Sequence, residues 1–303
     1  VVKLKQSKQY LRDFFLIKDD VPAFEESDIM SALRFLEDYA IRLGKPLIII
    51  FGLGSANGSR TGASPLAEMM ENLTKKPNIS VITCMGNEAN NKCHYKGTVM
   101  SALVPDVMEI NVDGTGKGFT MEIWADSLDI LSVSIESPSG EYVPRIPARM
   151  GASMEYTFLY ERSTVTVDYQ ITENVAGMEV IFVRLKTPVE GTWKFYIYSL
   201  TNIKGSYNAW LPLKQFSGQD IYFLKSDPDT TLTVPAAADG VISVGAYNHY
   251  TGAAYYESGR GYSADGRIKP DFVAPGAGVY GIAPSGGVKV TGTSYAAAYA
   301  GGC

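Results

Sequence analysis

The sequence predicts an α/β fold, a parallel sheet flanked by helices, interrupted by an all-β insertion of jelly-roll type. Three observations carry this. Runs such as Leu47–Phe51 and Val241–Ala246 have the length and apolar character of strands covered on both faces. Helical periodicity and small-residue helices accompany them toward both ends of the chain. Between about residues 105 and 216 the pattern switches to alternation of period two, with turn residues and no convincing helix. The expected division is 1–104 and 217–303 as two parts of one α/β domain, with 105–216 inserted.

Taken in order, Val1–Lys5 reads as the end of a strand, which implies a missing upstream segment such as a signal or propeptide. Ser27 is a candidate N-cap for the first long helix. Ile29, Leu33, Leu36, Ala40 and Leu43 share one of its faces, and Gly44 suits its C-terminal cap. Leu47–Phe51 follows as a fully buried strand and runs into Gly52-Leu53-Gly54. A second helix is expected over 64–73, and a second buried strand over Ser80–Cys84, ending at Met85-Gly86-Asn87-Glu88. In the insertion about eight alternating runs are expected. Met108, Ile110 and Val112 point one way, as do Leu131, Val133 and Ile135, with Ser132 and Ser134 opposite. Trp124, Trp193 and Trp210 all fall in this block, as a block with its own core requires. After about 217 come the strand Val241–Ala246, the segment Lys269–Gly276, and a strand, a tight turn at Gly292 and a helix of small residues from Ser294.

Composition narrows the function classes. With 46% hydrophobic and 19% charged residues the chain is of a folding type, not a disordered one. The net charge is -5 and the longest basic run is Lys75-Lys76, which argues against a nucleic-acid partner. The longest apolar stretch, Pro46–Leu53, is too short to span a bilayer. Cys84, Cys93 and Cys303 form no disulfide framework and are expected as free thiols. That fits a reducing compartment, or a secreted fold that needs no disulfides. Cys84, Cys93 and His94 lack the repeated spacing of a zinc site, so no metal is expected. Gly52-Leu53-Gly54 lacks the third glycine and downstream acid of a dinucleotide fingerprint, so no cofactor is expected.

The candidate chemistry lies at Ser294. A serine at a strand-to-helix turn can be exposed at the end of a sheet, where the first helical N–H groups stabilise an anion. Gly292-Thr293-Ser294-Tyr295-Ala296 resembles the nucleophile motif of the subtilase family. Thr233–Ala238 with Val241–Ala246, Lys269-Pro270-Asp271 with Ala274-Pro275-Gly276, Gly86-Asn87-Glu88 and Gly52-Leu53-Gly54 resemble further blocks of that family, in its order. The resemblance covers about two thirds of the chain, and the insertion resembles that of clostridial germination-type subtilases.

That resemblance implies a serine endopeptidase working through an acyl-enzyme. Ser294 would attack the scissile carbonyl, and the Asn87 amide would donate to the developing oxyanion, an interaction worth about 2.7–4 kcal/mol in the transition state. Gly52, Leu53 and Gly54 would pair with extended substrate backbone. Met85, Gly86, Glu88 and Thr293 would help line the substrate site. The implied partners are a protein or peptide substrate and the protein's own N-terminal segment or propeptide. The implied location is secreted or at the spore or cell envelope, with an intracellular one open on the cysteines. Read singly, each residue has a plainer role: Asn87 caps a turn, the glycines make turns, and Lys269-Pro270-Asp271 is structural.

The chain departs from the family in its triad. His94 and His249 both follow Asn87 and neither stands in the family's His-Gly-Thr context; Asp113-Gly114-Thr115 reads as a hairpin turn. Ala298 replaces the usual proline. The expectation is a fragment whose catalytic Asp and His lie upstream, inactive as given because a serine without a base is a poor nucleophile. The alternatives are a non-catalytic relative acting as scaffold or sensor, and a glycan- or protein-binding role of the insertion.

Overall fold

The computed structural model describes residues 1–126, 128–149, 151–171 and 177–303. In chain order the elements are α1 (Gln9–Phe14), α2 (Glu26–Leu43), β1 (Leu47–Phe51), α3 (Pro65–Thr74), β2 (Ile79–Cys84), β3 (His94–Thr98), β4 (Asp106–Asp113), β5 (Gly118–Asp126), β6 (Leu131–Glu136), β7 (Tyr142–Ile146), β8 (Ser153–Thr157), β9 (Thr164–Ile171), β10 (Met178–Lys186), β11 (Gly191–Ser199), β12 (Ser206–Trp210), β13 (Asp220–Phe223), β14 (Ile242–Tyr247), β15 (Phe272–Pro275), β16 (Val279–Ala283), β17 (Gly286–Val290) and α4 (Thr293–Gly302). They form two units. Unit 1 holds Val1–Ser7, Pro22–Asn90 and Pro228–Cys303; unit 2 holds Lys8–Val21 and Asn91–Asp227.

Unit 1 is a parallel sheet of order β1-β2-β14-β15 with helices on both faces. Leu33 of α2 and Leu66, Met70 and Leu73 of α3 pack on Ile49, Phe51 and Val81. On the other face Ala296 and Ala297 of α4 meet Ile82, Cys84, Val244 and Ala246, a close approach that only small side chains allow. α2 ends at Gly44, whose φ of 61° is the left-handed cap expected of it. Its start differs from expectation: the helix begins at Glu26, Ser27 lies inside it, and Glu26 and Asp28 favour the positive end of the helix dipole. α3 is capped by Ser64, whose hydroxyl accepts from Ala67 N–H at 3.2 Å, with Pro65 at the first position.

Two further expectations are corrected. Val1–Lys5 forms no strand. β1 is an edge strand and not fully buried: Ile49 and Phe51 are covered, but Ile48 and Ile50 on its other face are 56% and 45% exposed. The apolar run Leu47–Phe51 carries no alternation that would have marked one face as open.

Unit 2 is a sandwich of two antiparallel sheets, of order β3-β12-β5-β10-β9-β8 and β13-β4-β11-β6-β7. Met108, Ile110, Val112, Leu131, Val133, Ile135, Trp193, Phe195 and Ile197 point into its core as their alternation requires. Among the described residues of 105–216 nine strands, β4–β12, stand where the alternation predicts about eight runs, and β3 and β13 add two more. The unit begins at 91 and not 105 because His94–Thr98 pairs with β12, and it runs to 227 because Asp220–Phe223 pairs with β4. Ser132 and Ser134, on the opposite face, are buried too; Arg145 Nε donates to Ser132 Oγ at 2.6 Å. Of the tryptophans only Trp193 belongs to the sandwich core; Trp124 donates to Glu122 and Trp210 stacks on His94. Residues 8–21 join this unit through Phe14, stacked on Phe182 at 5.7 Å with the Arg184 guanidinium 4.3 Å over its ring. Cys84 and Cys93 are buried and Cys303 is exposed, and none of the three is in a disulfide.

Candidate functional site

β1 and β2 run parallel, so Gly52-Leu53-Gly54 and Met85-Gly86-Asn87-Glu88 leave the sheet at the same, C-terminal end. Loops at that end are where open α/β sheets build sites. Two backbone ties join the segments there. Thr233 N–H donates to Met85 O at 3.0 Å, and Ser55 and Val234 exchange hydrogen bonds of 3.0 and 2.9 Å. The Thr233 side chain fills the space between Gly54 and Gly86. A Cβ on Gly86 would stand 2.5 Å from Thr233 Cγ2, and its φ of +84° also demands glycine.

α4 starts at the same end of the sheet. Gly292, with φ 147°, turns the chain from β17 into the helix. Thr293 is fully buried, and both its N–H and its hydroxyl donate to Asn87 Oδ1, at 2.9 and 3.2 Å. The two bonds fix the Asn87 amide beside the turn at Gly292, with Nδ2 lying 3.4 Å from where a Cβ on Gly292 would be. Ser294 Oγ is half-buried and donates to Gly52 O at 2.7 Å. Its N–H belongs to the first helical turn, where donors have no partner inside the helix.

Ser294 Oγ also stands 3.8 Å from Cys84 Sγ, which itself donates to Leu53 O at 3.6 Å. Burial pushes the Cys84 thiol up, and bonds to Ser294 and the backbone offset only part of that. A protonated thiol there is neither nucleophile nor base, so it packs as a small apolar group at the strand end.

Ser294, Thr293, Asn87, Gly52 and the Leu53 carbonyl are thus joined by direct contacts. Gly54 and Gly86 stand one layer back, against Thr233. Glu88 is half-buried, next to Ala89, whose N–H donates to Glu257 O at 3.2 Å. Met85 differs from a pocket-lining residue: it is fully buried, packed with Leu232, Ala236 and Ala237. Among the described residues, the hydrogen-bond partners of Ser294 Oγ are Gly52 O and Cys84 Sγ, and neither histidine is one of them. His94, in unit 2, is fully buried and bonds Asn208 at 3.0 Å; His249 is exposed beside Tyr250. Asp271 accepts from Ser243 N–H, Ser243 Oγ and Lys269 Nζ at 2.7–2.9 Å. Burial pushes its pKa up, but these bonds outweigh that and hold the carboxyl below its usual range, which makes it a tie between β14 and β15.

A sequence-family model described as the Subtilase family matches residues 166–303. The solved CspB protease of Clostridium perfringens is similar over 94% of this chain, with 26% identity and a TM-score of 0.83. The later part of this chain, residues 166–303, is thus similar to the subtilase family. The chain spans 60% of the length of the CspB chain. No curated protein sequence matches it.

Sequence reasoning missed two participants, Cys84 and Thr233. Cys84 meets Ser294 across 210 residues of chain through the packing of β2 against α4, and no local pattern encodes that. Thr233 had a signal, since it opens the Thr-Val-Pro block, but the two glycines it packs against lie far upstream.

Proposed function

We propose that the chain is the nucleophile-bearing part of a serine endopeptidase that hydrolyses peptide bonds through an acyl-enzyme. The observation that carries this reading is the meeting of Ser294, at the start of α4, with Asn87 through Thr293 and with the Gly52 carbonyl. Ser294 Oγ attacks the scissile carbonyl, the carbonyl oxygen becomes an oxyanion, and Asn87 Nδ2 with the Ser294 N–H stabilises that charge. The backbone of 52–54, beyond the end of the edge strand β1, takes up extended substrate by strand addition.

The proton of Ser294 needs a base that the contacts of Oγ do not supply, for a carbonyl oxygen and a protonated thiol accept none at neutral pH. We therefore read the chain as inactive by itself, its catalytic Asp and His coming from a further segment. The lack of a histidine among the described partners of Oγ favours a second reading, a non-catalytic relative that binds peptides in the same groove.

We read the unit 2 sandwich as a jelly roll with added strands. What supports this is the interleaving of early and late strands: β3-β12-β5-β10 in one sheet and β4-β11-β6-β7 in the other.

A fluorophosphonate probe tests the enzyme reading. The full-length protein should label, the Ser294→Ala variant should not, and the 303-residue chain should label far more slowly. Absence of serine-dependent labelling in a folded full-length protein sinks the protease and leaves the peptide-binding relative.

A further inference from the structure

Behind the turn that carries Ser294, the segments leaving β1 and β2 present glycines to one another. Gly52 and Gly54 stand on one side, and Gly86, next to Asn87, on the other. Two backbones without Cβ atoms leave a slot between them. In this chain one side chain occupies it. A Cβ on Gly54 would lie 2.2 Å from Thr233 Oγ1 and 2.7 Å from Thr233 Cβ, and a Cβ on Gly86 would meet Cγ2 and Oγ1 of the same threonine at 2.5 and 2.8 Å.

Thr233 has little freedom to withdraw. Its N–H donates to Met85 O at 3.0 Å and its carbonyl accepts from Ala236 N–H at 2.8 Å. Its neighbours Leu232 and Val234 are buried, and a β-branched side chain has few rotamers. The backbone that holds it is anchored in the buried cluster of Met85, Leu232, Ala236 and Ala237, so the floor of the slot does not sink under a larger group. The Thr233 hydroxyl is itself buried and has no hydrogen-bond partner among the described residues. What the residue supplies at this place is volume, not a polar contact.

The consequence rests on the proteolytic reading. There the scissile carbonyl carbon reaches Ser294 Oγ, its oxygen turns to Asn87, and the substrate backbone before it lies along 52–54. The side chain of the residue that owns this carbonyl is then led between 52–54 and 86–87, onto Thr233. We propose that Thr233, by its volume, restricts that substrate residue to a small side chain, that of glycine or alanine. A large aliphatic or aromatic group finds the slot already filled.

Aminoalkyl diphenyl phosphonates test this, because the serine oxygen displaces phenol from their phosphorus while their side chain takes the place of the substrate residue in question. The full-length protein should react with the alanine analogue at least roughly tenfold faster than with the phenylalanine analogue. Thr233→Ala should raise the rate with the phenylalanine analogue roughly tenfold and leave that with the alanine analogue nearly unchanged. Thr233→Val keeps the volume and should keep the wild-type selectivity; its hydroxyl having no partner to lose, it should melt no lower than wild type. The ratio of the two rates within one preparation does not depend on how much of the protein is folded, so a purely structural role for Thr233 leaves it unmoved. A wild-type protein that reacts alike with both analogues overturns the proposal, and so does a Thr233→Ala variant that a fluorophosphonate labels but whose ratio stays at the wild-type value. Selectivity lost in Thr233→Val assigns the discrimination to the hydroxyl and overturns it too. Fluorophosphonate carries no such side chain and separates the two failures: labelling without preference between the analogues sinks this proposal alone, whereas a full-length protein that it never labels loses the proteolytic reading and this proposal with it.

Discussion

Asn87 does two things with one amide, and its two ends can be separated. Oδ1 accepts from the buried Thr293 N–H and hydroxyl, while Nδ2 is the donor that the proposed oxyanion site requires. Asn87→Ala removes both and leaves a buried donor unsatisfied, at a cost of about 1–3 kcal/mol in stability. Asn87→Asp keeps the acceptor and removes the donor. Fluorophosphonate labelling of full-length Asn87→Asp should fall roughly 100- to 1000-fold, the loss typical of one oxyanion donor. Its thermal midpoint should stay closer to wild type than that of Asn87→Ala. Equal labelling of wild type and Asn87→Asp would remove Asn87 from the oxyanion site. Ser294, Asn87 and Gly52 were legible at this scale because each stands in a short motif beside glycines that a strand end needs. Met85 was misread for want of a local signal. It follows buried Cys84 at the strand end, and its partners Leu232, Ala236 and Ala237 lie some 150 positions downstream, a pairing that only the tertiary fold reveals.

At the scale of the element, capping and periodicity were legible, and coverage was not. Gly44 and the helix of small residues after Gly292 occupy the positions their chemistry suggested. The open face of β1 and the buried Ser132 and Ser134 depend on which elements pack alongside, and an apolar or alternating run does not encode its neighbours. The same reasoning predicts which substitutions an element tolerates. Ser64→Ala removes the bond to Ala67 N–H at the start of α3 and should cost about 1 kcal/mol. Ala296→Leu forces three further carbons into the contact of α4 with Val244, Ala246 and Ala274 and should cost about 1–3 kcal/mol. Because α4 carries Ser294, that second loss should also displace the turn at Gly292. Urea unfolding ranks the pair, and the reading of α4 as close-packed fails if Ala296→Leu proves milder than Ser64→Ala.

At the scale of the whole molecule, stability should depend on pH through a buried carboxyl in unit 2. Glu179 on β10 is almost wholly buried; burial, with the Asp129 charge adding to it and the Leu131 N–H bond of 2.8 Å offsetting part, pushes its pKa up to about 7. The folded value therefore lies above the ordinary 4.5. Between those two values the native state holds a proton that the unfolded chain has released, so stability is highest at the acid side of that window and falls as pH rises to about 7. The full drop is about 3 kcal/mol at 1.36 kcal/mol per unit. Opposing it, Asp271 and Glu136 have lowered values and stabilise the fold above the usual carboxylate range, a contribution lost as pH falls through their folded values. Trp124, Trp193 and Trp210 all belong to unit 2, so tryptophan fluorescence follows the unfolding of the sandwich that contains Glu179. Glu179→Gln keeps an acceptor for Leu131 N–H and cannot ionise. Urea midpoints of wild type should decline from pH 5 to pH 7.5, and those of Glu179→Gln should decline much less. Parallel declines would mean that the Glu179 carboxyl is already ionised at pH 5 in the folded chain, and that Asp129 and the surrounding sheet exert too little repulsion to matter.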